Sequence, residues 1–482
     1  MENQIEVVDV VVVGGGGAGL AAAVASAVRG MKTVLLEKEP ILGGTTRRSV
    51  GSFSAAGTRL QRRAGITDSP DDFKEDMVAF APALASRDNS ALRAMLAAEA
   101  SVTLAWLEDL GVVFVGPFPE PPHRVSRMHN VIPNSQAYID VLGSAARSFG
   151  VKIYLGAQVR SIIEDNGHVT GVRYSRSGGD EIAAVARRGV ILASGDFSGN
   201  AELRKRYLEP AAASAIPVNS ESNGDGFVMT KSLGAAQRNM DMIFGPQLRF
   251  PTSPKPGFTE RLPKWKWVNR LGGLYMSKAP SWALKPLVTS LLITHMSPSE
   301  SLFEEGAILV DLDGNLVTGK TPAAGLAMVR DSTGYIVFDD VVAKKFAAFP
   351  YFISTAPGIA YAYFADYSRG RPDLVHNGTS LEELGNTIGV PAAQLRMTAE
   401  NLRQPPFHAM GPVRAMLTVT EGSLAVDTEC RVLSEDGTPI EGLYAVGGIG
   451  QGGMMLKGHG LHIAWALTSG RIAGESAARR EA

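Results

Sequence analysis

The sequence predicts an α/β fold in two domains, the larger built from both ends of the chain and the smaller an inserted α+β segment. Three observations carry this. The chain opens on a β-branched apolar run, Val7 to Val13, followed by four glycines, an Ala-rich helical stretch through Arg29 and a second strand, Thr33 to Leu36; this is a βαβ opening. Near the other end, Gly442 to Val446 is again a short apolar strand, feeding a glycine-rich turn and a helix over Leu461 to Ala478. Between them, from about Phe244 to Gln394, the chain becomes richer in Pro, Trp and Tyr. With 482 residues the chain exceeds what one hydrophobic core ordinarily serves. The expected division is 1–243 with 395–482 for the first domain and 244–394 for the inserted, capping one.

The remaining elements follow from the same patterns. Strands are predicted at Val151 to Leu155, Val169 to Tyr174 and Gly189 to Ala193, and a helix at Ser90 to Leu110. Composition, at 45% hydrophobic and 20% charged, is that of a globular chain. Lys plus Arg (47) nearly balance Asp plus Glu (48), which excludes a global charge argument for nucleic acid. The single cysteine, Cys430, excludes an internal disulfide framework and a cysteine-rich metal site and suits a reducing compartment, so a cytoplasmic location is expected. Met1 to Glu6 lacks a basic n-region, and no uninterrupted apolar run is long enough to span a membrane.

Gly14, Gly16 and Gly19 form G-x-G-x-x-G directly after a strand and at the start of a helix, the context that gives this motif its meaning. Gly14 permits a tight turn, Gly16 lets backbone approach a pyrophosphate, and Gly19 lets helix pack on strand; Gly17 and Ala18 open the helix whose free N–H groups face the anion. Glu37 closes the second strand, where its carboxylate can accept hydrogen bonds from an adenosine ribose and would repel a 2′-phosphate; Lys38 follows it. A Rossmann-type dinucleotide site is therefore predicted.

The next segment, Leu42-Gly43-Gly44-Thr45-Thr46, continuing through Arg47 and Ser49-Val50-Gly51, separates FAD from NAD. Here the chain resembles the flavoprotein superfamily of soluble fumarate reductases, 3-ketosteroid dehydrogenases and the succinate dehydrogenase flavoprotein subunit, which carry a similar Gly-Gly-Thr/Asn segment. Gln158 and Val159 resemble the family's adenine-contacting segment, Ala193-Ser194-Gly195-Asp196-Phe197 its A-T-G-G-F, and Gly224-Asp225-Gly226 its G-D-G helix start. Gly442 to Gly447 and Gly470-Arg471-Ile472-Ala473-Gly474 are similar to the terminal flavin-binding segment. The resemblance implies FAD held by both halves of the first domain, with substrate between cap and flavin. It also implies that the last helix, at Leu461, His462 and Ile463, aims its positive end at the flavin. Two departures stand out. Gly448 occupies the place where the family often has Glu beside Gly447, and Thr45 to Ser54 contains no histidine, so noncovalent FAD is expected.

The resemblance further implies hydride exchange between flavin and one carbon, with proton transfer at its neighbour. Fumarate reductases of the family use a cap Arg as proton donor; Leu312 to Val329 offers only Lys320, and Met416 to Thr420 has no histidine for a dicarboxylate. The cap tyrosine of the ketosteroid dehydrogenases is absent too. In the tyrosine-rich stretch Tyr351 to Tyr367, Tyr361 and Tyr363 are candidate proton-transfer residues, as are His129 and Arg127; alternate tyrosines also suit a plain strand. Arg124, Lys457, His459 and Gly460 are candidate substrate contacts, Arg124 and Arg127 being equally natural as loop charges. No histidine pair has metal spacing with a third ligand, so no metal is expected.

These readings favour an FAD-dependent dehydrogenase that desaturates the bond α,β to a ketone of a cyclic substrate, a 3-ketosteroid or a keto acid such as 4-oxocyclohexanecarboxylate, passing electrons to an unidentified acceptor. The alternatives are the reverse reaction, reduction of an enone or unsaturated acid, and a flavin-binding protein without catalysis. Between Arg261 and Ser299 six Lys or Arg and no acid interleave with Trp265, Trp267, Tyr275 and Trp282, a segment suited to peripheral membrane contact or to its own protein surface.

Overall fold

Val10, Val11 and Val12 are fully buried, and an apolar run of this kind, with no polar alternation, belongs in the middle of a parallel sheet covered on both faces. In the computed structural model that is where it lies. The strands run in the order Arg431–Leu433, Pro439–Ala445, Glu181–Leu192, Ile5–Val13, Thr33–Glu37 and Lys152–Leu155, with the antiparallel pair Ala157–Asp165 and His168–Arg176 completing an eight-stranded sheet. Ile5–Val13 pairs in parallel with Thr33–Glu37 on one side and Glu181–Leu192 on the other, and Pro439–Ala445 adds in parallel to Glu181–Leu192. Both chain ends therefore contribute to one sheet. The structure describes residues 5–176, 179–252, 293, 297–356 and 360–481.

Two helices seal one face. Gly17–Val28 and the last helix, Leu461–Arg479, are in close contact because Gly470 and Gly474 face the first helix: a Cβ there would lie 2.2 Å from the Ala18 carbonyl and 2.3 Å from that of Ala22. These glycines, read from sequence as part of a flavin-binding segment, serve helix packing. Ser90–Leu110, capped by the Asn89 side chain and ended by Gly111 in the left-handed region, packs on the last helix.

A second sheet is centred on Phe407–Leu417, flanked by Thr333–Phe338 with Ile308–Asp311 beyond, and joined by Gln247–Arg249, Val375–Gly378 and Ile216–Pro217. It takes strands from outside 244–394, because the long strand 407–417 is its centre. Ser52–Ser54, Met128–Ile132 and Val113–Phe118 form a small third sheet. Among the described residues no helix is long and apolar enough to cross a membrane, and no group of three or more His, Cys, Asp or Glu side chains could hold a metal. The basic aromatic segment 261–299 lies outside the described residues apart from Ile293 and 297–299.

Candidate active site

One elongated cavity of about 600 Å³ runs from the glycine turn of the first sheet to the edge of the second. At the first end it is lined by Gly14, Gly16, Gly17 and Ala18, by Glu37 and Lys38, and by Gln158 and Val159. The backbone there needs its glycines. At φ +111° a Cβ on Gly14 would sit 2.4 Å from the Ala193 carbonyl oxygen, while a Cβ on Gly19 would sit 1.9 Å from that of Gly14. Gly19 therefore lies beneath the cavity rather than on its wall, as does Gly43 at φ +139°, which opens the short helix Gly44–Arg47. Glu37 accepts the Gly15 N–H at 2.6 Å and the Glu39 N–H at 2.8 Å, which fixes its carboxylate beside the turn. Lys38 reaches Asp225, also on the wall, at 2.8 Å.

The middle of the cavity is made by Gly44, Thr45, Thr46, Ser49, Val50 and Gly51, opposite Ala193, Ser194 and Gly195 and the Gly447–Gly448 turn. His462 and Ile463 line it from the last helix, whereas Leu461 is in the core. Several features fit FAD. The helices beginning at Gly17 and Leu461 both have a glycine N-cap; the Thr46 hydroxyl accepts the Gly17 N–H at 3.2 Å, and Ala18, His462 and Ile463 bring the rest of the two positive helix ends to the cavity wall. The Ser194 hydroxyl is buried on the wall without a partner among the described residues. The dinucleotide residues predicted from sequence thus surround one continuous space, with Gly19, Gly43 and Leu461 supporting it from behind.

The predicted catalytic residues are elsewhere. Arg127, fully buried, is held by Asp68 at 2.6 Å and Asp76 at 2.5 Å, and Arg124 by Asp72, Glu75 and Asp76. Burial pushes Asp76 upward, but hydrogen bonds from both arginines outweigh it and keep its carboxyl below the usual range. These cations are structural, satisfied by their own acids, and neither lines the cavity. His129 is fully buried between the Thr58 hydroxyl, 2.9 Å, and the Phe53 carbonyl, 3.3 Å, and burial takes its pKa down to about 4. Tyr361 sits in the hairpin Ser354–Ala356/Ala360–Ala362 with its ring on Phe349 and Phe352, and Tyr363 caps the helix Phe364–Gly370; neither is on the cavity wall. Of the two, only Tyr361 belongs to a strand. Lys457 binds the Ile243 carbonyl and the buried Glu421, so it too is taken up by the protein. Only His459 and Gly460 among the predicted substrate contacts reach the cavity.

What the sequence reading missed is Arg249. It ends the strand Gln247–Arg249 and lines the far end of the cavity with Phe244, Gln247, Phe352, Ser354 and Thr355. One terminal nitrogen donates to the Thr418 hydroxyl at 3.2 Å, its Nε has no partner, and no carboxylate pairs with it among the described residues. Burial pulls its pKa down, yet a guanidinium remains charged. Nothing local in the sequence marks it: it reads as one more polar residue in an irregular stretch.

A model described as FAD binding domain matches residues 9–456. The NADH:fumarate oxidoreductase of Klebsiella pneumoniae (strain 342) is 29% identical across 98% of this chain, which spans 48%, about half, of that protein. The 3-oxosteroid 1-dehydrogenase of Mycolicibacterium smegmatis is 25% identical over 96% of each. A flavocytochrome c3 fumarate reductase in its open conformation shares the fold, with TM-score 0.74 and 24% identity over 98% of this chain and 78% of that one. With the family model covering nearly its whole length and the glycine turn, the acid and the cavity in place, the chain belongs to the FAD binding domain family.

Proposed function

We propose that this enzyme exchanges hydride and a proton across a CH–CH bond of a small substrate bearing a carboxylate, with FAD held noncovalently. The observation that carries the reading is Arg249, a cation without a counter-charge among the described residues, at the end of the cavity beyond the FAD-fitting stretch. A buried cation is costly until paired, and a substrate carboxylate would supply the missing counter-charge. A neutral 3-ketosteroid supplies no such charge. Of the two cyclic ketones considered from sequence, the oxo acid, 4-oxocyclohexanecarboxylate or a close relative, is favoured, with desaturation α,β to its ketone. The opposite direction, reduction of an unsaturated carboxylic acid, is the second reading, favoured by relatives named as fumarate reductases and served by the same cation.

Bound FAD supplies the two-electron hydride acceptor or donor. The chain supplies the rest: Arg249 anchors the carboxylate, and Phe244 and Phe352 wall the space. The test is anaerobic mixing of oxidised holoenzyme with the oxo acid and with the cyclohexanone lacking its carboxylate. Rapid bleaching by the acid alone supports the reading; bleaching by the neutral ketone or by a 3-ketosteroid alone overturns it. Acid precipitation should leave the flavin in the supernatant, and flavin retained in the pellet contradicts noncovalent attachment.

A further inference from the structure

Whatever the substrate, a group must hold or release the proton at the carbon beside the hydride. At the Arg249 end of the cavity the described titratable residues are Arg249 itself, His459 and His462. His462 turns its Nε2 toward the buried Glu421, 3.5 Å away, and packs its ring on Phe244. His459 differs. It sits in the turn just before the last helix, held by the Ser54 hydroxyl, which donates to its carbonyl at 2.8 Å. Glu120, itself buried, accepts both the His459 backbone N–H and its Nδ1–H, each at 2.6 Å. Nδ1 therefore carries a proton, and the ring cannot turn without breaking that bond. Nε2 has no partner among the described residues, and the side chain keeps 62% of its surface accessible on the cavity wall.

We propose that His459 is the catalytic acid–base of this site and that Glu120 is its positioning residue, an assignment that rests on the CH–CH reading given above. In desaturation, Nε2 takes the proton from the carbon next to the activating carbonyl. The electron pair of that C–H bond becomes the new C=C bond, and the neighbouring carbon loses hydride to bound FAD, which is reduced by two electrons; His459 then loses its proton to solvent. In reduction each transfer runs backward and Nε2–H donates. Two charged groups face the imidazole from elements packed against it. Glu120 raises its pKa through the hydrogen bond, the largest effect, and by its charge, while burial and then the Arg249 charge oppose; the net direction is upward. A carboxylate bound to Arg249 cancels the opposing charge. Substrate binding should therefore raise the His459 pKa further, so that the acid form gains as the substrate seats.

The test uses the FAD-loaded protein with labelled histidine side chains, followed by NMR titration, the His459 signal being assigned by its loss in His459→Gln. Glu120→Gln should lower the His459 pKa and Arg249→Met should raise it. With the substrate found by the bleaching assay, H459Q should lower kcat by about 10²-fold or more while keeping FAD stoichiometry and spectrum. The limb of the kcat/KM profile should follow the pKa seen by NMR and move with it in E120Q. A carboxylate substrate turned over by H459Q within a few-fold of wild type, or a limb that ignores the NMR value, overturns this assignment and leaves the carboxylate reading standing; failure of every carboxylate to react overturns that reading instead, while the NMR shifts still report on the dyad.

Discussion

Replacing Arg249 by Met isolates the uncompensated cation. Met keeps much of the length and the apolar stem but removes every N–H. One terminal nitrogen serves Thr418 at 3.2 Å and Nε is buried, so a carboxylate in the cavity would meet the terminal nitrogens. A hydrogen bond to a charged group contributes about 1.5–3 kcal/mol, and two of them, discounted for water in a cavity open to solvent, give about 3 kcal/mol. At about 1.4 kcal/mol per decade that is a roughly 100-fold loss of kcat/KM for the acid. The amide of the same substrate, already deprived of the charge, should change less than about 5-fold. Stability should move the other way, because the variant removes an unpaired charge without orphaning an acid, so R249M should melt at or above the wild-type temperature. Stopped-flow flavin absorbance with acid and amide gives the first quantity and thermal unfolding the second. Equal losses for acid and amide, or a variant several kcal/mol less stable, would refute the reasoning by showing Arg249 to be structural.

Other predictions follow from buried groups. Burial holds His123 and His129 at about 4 against 6.5 unfolded, with the Arg127 charge adding to the effect at His123. Below pH 6.5 the unfolded chain therefore binds protons that the native state refuses, and stability is fully present above that pH and lost toward 4. Each histidine should cost about 2 kcal/mol at pH 5, so H129Q should flatten the pH dependence of the urea midpoint between pH 7 and 5; an unchanged slope contradicts the assignment. Cys430, fully buried with its thiol pushed up by burial, should resist DTNB in the native protein and react once per chain in denaturant, and fast native labelling would show otherwise. Gly19→Ala places a methyl 1.9 Å from the Gly14 carbonyl oxygen, so that variant should lose flavin and fold poorly; stoichiometric FAD at the wild-type melting temperature contradicts the packing argument.

The FAD-fitting half was legible because its determinants are local. The Gly14-x-Gly16-x-x-Gly19 turn, the acid at Glu37 and the helix boundaries at Ser90, Leu110 and Leu461 depend on spacing and caps within a few residues. The substrate half was not, because it is assembled across sequence. Arg249 matters because no carboxylate among the described residues pairs with it, and His459 through Glu120, 339 positions away, neither of which a single sequence displays. Conversely, Arg124 and Arg127 attracted a functional reading as a cluster, yet Asp68, Asp72, Glu75 and Asp76 lie far enough upstream that their ion pairs appear only in the fold. The tyrosine candidates lie off the cavity wall for a simpler reason: its strand sets Tyr361 against Phe349 and Phe352.

The central claim is that this flavoprotein works on a CH–CH bond of an anionic substrate, and redox half-reactions test it most directly. Holoenzyme is mixed anaerobically in the oxidised form with saturated oxo acids and in the reduced form with α,β-unsaturated acids, each beside its neutral amide, while flavin absorbance is followed. The account predicts that at least one acid bleaches or restores the flavin in the millisecond-to-second range and that its amide is slower by about two orders of magnitude, the Arg249 effect worked above. Flavin that responds to neutral ketones or steroids as readily as to acids, or to none of these compounds in either form, would contradict it.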